Sequence, residues 1–137
     1  MKKHLLMLAL ASTCFMATQA GAMTKDEYKA GKEKIEADYK AAKAQCDALK
    51  DNAKDVCQKE AKGKEDVAKA ELEQQYKPSD AHARKVAEEK VKATYEVAKE
   101  KCDDQTGDAK AACVKQAKAD EAQGKADIKA MKKTKAM

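Results

Sequence analysis

Cys46 and Cys57 stand 11 residues apart, and so do Cys102 and Cys113. In one continuous α-helix, positions at that spacing share a face but lie about 16 Å apart along the axis. A disulfide needs Cα atoms within about 7 Å. Each pair can therefore join within the chain only if the backbone reverses between its cysteines. Lys50-Asp51-Asn52 lies midway through the first interval, and Asp104-Gln105-Thr106-Gly107-Asp108 occupies the second. The expected unit is an α-hairpin with its disulfide one helical turn below the tip. Closing such a loop contributes about 3 kcal/mol in the chain-entropy treatment. Uninterrupted helices with free or intermolecularly paired cysteines are the competing arrangement.

The unit is used twice. Residues 35–62 align without a gap on 91–118, and 12 of the 28 positions are identical, among them Tyr39/Tyr95, Cys46/Cys102, Asp47/Asp103, Cys57/Cys113 and Ala61/Ala117. A gapless repeat with both cysteines in register marks one stapled segment duplicated. Four cysteines allow three connectivities, and the duplication favours Cys46–Cys57 with Cys102–Cys113.

The fifth cysteine, Cys14, belongs to a different kind of segment. Met1-Lys2-Lys3-His4 is a positive start, Leu5 to Met16 is apolar, and Ala20-Gly21-Ala22 offers small residues at both positions a signal peptidase reads. That is the tripartite pattern of a cleavable secretory signal, with cleavage expected after Ala22. The apolar run falls short of the roughly 20 residues a membrane-spanning helix needs. A lipoprotein acylated at Cys14 is a further reading, although Ala11-Ser12-Thr13 fits a lipobox poorly. Export leaves four cysteines, an even number suited to disulfides in an oxidising compartment. The expected organisation is a signal peptide at 1–22, a first hairpin repeat at 23–77, and a second at 78–137 with a basic C-terminal tail.

The fold class follows from what the chain lacks. There is no Trp, the one Phe is Phe15, and charged residues make up 39%, so a wide apolar core cannot be assembled. Ala, Lys, Glu and Gln are abundant and are strong helix formers. We expect an all-α protein of two tandem disulfide-stapled hairpins, four helices in all. They form either a thin four-helix bundle or an elongated pair hinged near Pro78. Thr24 is placed to cap the first helix, with Asp26 and Glu27 in its first turn. Tyr28, Ile35, Tyr39, Ala42, Cys46 and Leu49 form its amphipathic stripe. The second helix is expected from about Ala53 towards Gln75. Tyr76-Lys77-Pro78-Ser79-Asp80 breaks the chain, because Pro78 cannot continue a helical ladder and restrains the residue before it. Ser79 or Asp80 then caps a third helix, and a fourth extends to around Met131.

Charge argues against a nucleic-acid binder. The formal net charge of +5 falls to +3 once Lys2 and Lys3 leave with the signal (5 − 2 = 3). Basic and acidic residues interleave, as in Lys99-Glu100-Lys101, and Arg84 is the one arginine, whereas nucleic-acid binders segregate basic charge on one face. Catalytic chemistry is equally sparse. His82 is the one histidine after the signal and is read as exposed. Cys-x10-Cys lacks the tight spacing of zinc or redox motifs, and no glycine-rich phosphate loop or nucleophile elbow is present. No catalytic residue, metal ligand, cofactor or small-molecule substrate is assigned, and the chain is read as a non-enzyme. Tyr39 and Tyr95, seven residues before the first cysteine of each pair, are expected along the hairpin seam. They are the candidate partner contacts.

The segments KIEADYKAAKAQCDALKDNAKDVCQKEAKGKEDVAKAELEQQYKPS and VKATYEVAKEKCDD resemble small exported proteins of Gram-negative bacteria rich in Ala, Lys and Glu. Those proteins often carry the label "cell envelope biogenesis protein TolA" or "exported protein". The likeness covers nearly all of the chain after the signal, and the paired Cys-x10-Cys is its most specific element. The TolA label reflects likeness to TolA's Ala/Lys-rich helical spacer. This sequence departs from TolA in showing no retained membrane anchor and no recognisable C-terminal globular domain. The resemblance implies a periplasmic protein with a spacer, scaffold or interaction role in the cell envelope. Envelope proteins or an anionic envelope surface are the expected partners, and self-association is compatible with it. A periplasmic chaperone, or a stress-related factor handling metal or thiols, is the alternative.

Overall fold

The structure is a computed structural model that describes residues 22–133. The signal-peptide and Cys14 assignments, and the basic tail from Thr134, lie outside the described residues. Four helices run in chain order: α1 (Lys25–Cys46), α2 (Asp51–Tyr76), α3 (Asp80–Lys101) and α4 (Gly107–Lys133), with a short 3-10 turn at Cys102–Asp104 before the last. No helix among the described residues is long and apolar enough to cross a membrane.

The helix ends follow local chemistry. Thr24 accepts a hydrogen bond from the Glu27 amide, and the Glu27 carboxylate accepts one from the Thr24 amide, a reciprocal cap. The Thr24 amide and then the Thr24 hydroxyl donate to the Glu27 carboxylate and hold its carboxyl below its ordinary value. Ser79, of the two residues expected to cap α3, is the one that does so, through the His82 amide. The first turn differs slightly from expectation. The backbone leaves the helix already at Asp47, and α2 restarts at Asp51, two residues before Ala53.

Both tips are built alike. The Leu49 amide donates to the Cys46 carbonyl at 3.0 Å, and the Gln105 amide donates to the Cys102 carbonyl at 3.0 Å. Lys54 reaches Asp47 at 3.1 Å, and Lys110 reaches Asp103 at 2.9 Å. Asp51 and Gly107, equivalent in the repeat, both have a left-handed backbone, with φ of 52° and 58°. Glycine pays no steric cost there, whereas a residue with a Cβ does. Gly107→Ala should therefore lower stability by about 1 kcal/mol and Asp51→Gly should raise it by a few tenths or more, read by urea unfolding. No loss in Gly107→Ala and no gain in Asp51→Gly would mean that the turn tolerates a side chain better than its backbone implies.

The cysteines pair as the duplication favours. Cys46–Cys57 has Cα atoms 5.5 Å apart and Cys102–Cys113 5.6 Å. The two hairpins are joined along their lengths, because α2 and α3 pack side by side across the Pro78 turn. Packing runs α1 on α2, α2 on α3, α3 on α4. Since α1 and α3 run in the same direction, both stapled tips lie at one end. There Asn52 donates to the Glu100 carbonyl at 3.0 Å, tying the first tip to the end of α3.

The core is thin and duplicated. Cys46 and Cys102 are fully buried, and the equivalent pairs Ala61/Ala117 and Leu72/Ile128 lie beneath them. Small residues let the helices approach: a Cβ on Gly31 would stand 2.7 Å from Leu72, and one on Gly63 would stand 2.7 Å from the Cβ of Ala93.

Candidate interaction groove

Helical geometry gives α2 and α3 two broad faces that their neighbours leave uncovered, and the two differ in chemistry. One face is charged. Asp66, Lys69 and Glu73 of α2 stand there against His82, Lys85 and Glu89 of α3. The other is an open trough of about 980 Å³, floored by Gly63, Val67 and Ala68 from α2 and by Ala93, Val97 and Ala98 from α3. Its α2 rim carries Glu60, Lys64 and Glu71, where acid predominates, and its α3 rim carries Lys90, Thr94 and Lys101. Glu60 pairs with Lys101 at 3.0 Å and Glu71 with Lys90 at 2.7 Å. Gln74, Ala83 and Val86 prolong the trough towards Pro78. These ion pairs are half exposed, so each adds little stability. They fix the register of α2 against α3.

The sequence-level site residues fall elsewhere. Tyr39 is half-buried in the α1–α2 seam with Lys62 over its ring at 5.9 Å. Tyr95, also half-buried, lines the α3–α4 groove beside Val91, Ala117 and Glu121. The two rings belong to separate hairpins and make no common site. His82 corrects an expectation. Rather than exposed, it is half-buried, with Nδ1 2.6 Å from the Lys77 carbonyl. A carbonyl can only accept, so Nδ1 carries the proton and the ring closes the end of α2. The four cysteines are consumed in the disulfides. Among the described residues no cluster of His, Cys, Asp and Glu has the arrangement of a metal site.

Sequence reasoning missed the seam's charged element. Glu65 is buried, and its carboxylate accepts from Lys69 at 2.6 Å and Lys62 at 3.0 Å. Burial pushes its carboxyl up, but the hydrogen bonds from Lys69 and then Lys62 outweigh it and leave the group below its ordinary value. The repeat carries the signal that could have found it: Lys125 reaches Glu121 at 2.6 Å in the equivalent place. A carboxyl held low when folded stabilises the fold above the unfolded value of about 4.5, and that stability drains away as pH falls through the lower, folded value. Acid unfolding should therefore be shallower in Glu65→Gln than in the parent, measured by circular dichroism from neutral pH downwards. Parallel curves would remove Glu65 from the acid response.

A second aromatic contact lies at the opposite end from the staples. Tyr28 stacks on Tyr76 with ring centroids 4.4 Å apart, and its hydroxyl donates to Glu73. That hydrogen bond, ahead of burial, raises the phenol above its ordinary value. The repeat does not reproduce it, since Arg84, Lys129 and Lys132 occupy the matching positions.

No family model, curated protein or solved structure matches this chain.

Proposed function

We propose that this chain is a non-enzymatic, exported protein of the periplasm that serves the cell envelope as a helical spacer or interaction module. The observation that carries the proposal is the open apolar trough on a disulfide-stapled scaffold. An open trough presents area to another macromolecule, whereas catalysis on a small molecule favours a concave, dry site with convergent polar groups. Two staples, each with one fully buried cysteine, supply stability to a thin fold in an oxidising compartment, where disulfides persist. Both features fit a rigid element that holds or meets other molecules. The half-buried edges of Tyr39 and Tyr95 remain candidate contacts outside the trough.

The reading makes two demands. Fractionation of expressing cells should place the chain in the periplasm, shortened by its first 22 residues as read by intact mass. Cross-linking in envelope preparations should then capture it in a protein complex through α2 or α3. A cytoplasmic, unprocessed chain with reduced cysteines would overturn the assignment. A thiol-handling or metal-handling role instead requires accessible sulfur. Thiol titration of protein isolated without reductant should find no reactive thiol in the processed chain, and reactive thiols would favour that alternative.

A further inference from the structure

Val67 and Val97, at the centre of the trough, break the symmetry of the repeat. The alignment that equates Cys46 with Cys102 equates Val67 with Gln123 and Val97 with Ala41. At the repeat-equivalent positions the flanking helices are polar: Lys34 pairs with Asp38 on α1, and Gln116 and Gln123 donate to Asp120 and Asp127 on α4. The central valines are thus framed by polar groups, the anatomy of an association surface with a dry centre and a wet rim. The floor is made of small side chains, which admit a close helical neighbour.

We propose that this face is the interface of a homodimer, with a second copy seated on it about a two-fold axis that runs along the trough. The charges select that geometry. Such an axis lays α2 of one copy on α3 of the other, antiparallel. Glu60 and Glu71 then face Lys101 and Lys90 of the second copy, and the reverse contacts follow by symmetry. An axis across the helices would instead stack α3 on α3 and bring lysine rim to lysine rim. The favoured arrangement closes α2, α3 and their copies into a four-helix core in which each helix runs antiparallel to its neighbours. It also gathers all four staples at one end of the dimer. The inference deepens the interaction reading by naming the partner of the trough, and it does not depend on the compartment.

Sedimentation of the oxidised chain across the micromolar range should give twice the mass of one chain. Glu60→Lys with Glu71→Lys makes both rims basic, and Lys90→Glu with Lys101→Glu makes both predominantly acidic, with Lys64 the one base left on them. Each variant alone should sediment as a monomer, and an equimolar mixture should return to the dimer mass. Asp66→Lys with Glu89→Lys changes charge equally on the opposite face and should stay dimeric. Helix content by circular dichroism checks that each variant is folded, and Val67→Asp, a change on the open floor, should also yield a folded monomer. A parent chain monomeric throughout would overturn the proposal, as would rim variants that remain dimeric or a mixture that fails to pair. Those outcomes would leave the fractionation result untouched.

Discussion

Replacing Cys46 and Cys57 together by alanine should lower stability by about 3 kcal/mol, the loop-closure entropy returned to the unfolded chain. The melting temperature should fall by roughly 10–20 °C for a domain of this size. Cys102→Ala with Cys113→Ala should cost a similar amount, because that staple closes a loop of the same length. Cys46 and Cys102 are also the most deeply buried side chains, so the replacements remove core volume as well as a cross-link. Summed over both staples, the loss reaches about 6 kcal/mol, comparable with the whole stability of an ordinary domain. The parent chain should accordingly lose much of its helix in reductant at a temperature where the oxidised form is intact. Urea unfolding followed by circular dichroism, with and without reductant, reads both effects. Coincident curves would mean that the helices hold together by packing alone.

Gly63→Leu should destabilise by about 2 kcal/mol, the middle of the range for overpacking a close contact. A Cβ there would meet the Cβ of Ala93 at 2.7 Å and its Cα at 3.5 Å. Alanine has no rotamer by which to retreat, so α2 and α3 must separate. Gly31 provides the contrast. Its close neighbours are the terminal carbons of Leu72, the nearest at 2.7 Å, and a leucine tip can swing aside. Alanine also favours a helix by about 1 kcal/mol over glycine. Gly31→Ala should therefore be neutral or slightly stabilising, while Gly63→Leu is not. Equal losses in urea unfolding at the two positions would show that the α2–α3 contact is no more rigid than the α1–α2 contact.

Much of this fold was legible because the cysteine spacing excludes a straight helix and the repeat supplies two independent readings of one unit. Thr24, Ser79 and Pro78 act through their own backbones and nearest neighbours, so they could be placed without tertiary knowledge. How the two hairpins join depended on α2 meeting α3, a contact between repeats that periodicity does not encode. Gly63 was the available hint. It is glycine where α3 closes in, while its repeat partner Ala119 lies on the exposed side of α4. The same comparison of repeats reveals the trough, since Val67 and Val97 have lost their valine character at Gln123 and Ala41. His82 and Glu65 were misjudged or missed because their burial comes from a neighbouring helix or turn, which composition around them does not reveal.

Peptide mapping of the oxidised chain under non-reducing conditions tests the central claim most directly. If the backbone turns back within each cysteine interval, the linked fragments join residue 46 to 57 and 102 to 113, matching the Cα separations of 5.5 and 5.6 Å. Fragments joining sulfurs of one repeat to those of the other, or free thiols at all four positions, would contradict the stapled hairpins on which the groove and its proposed partner rest.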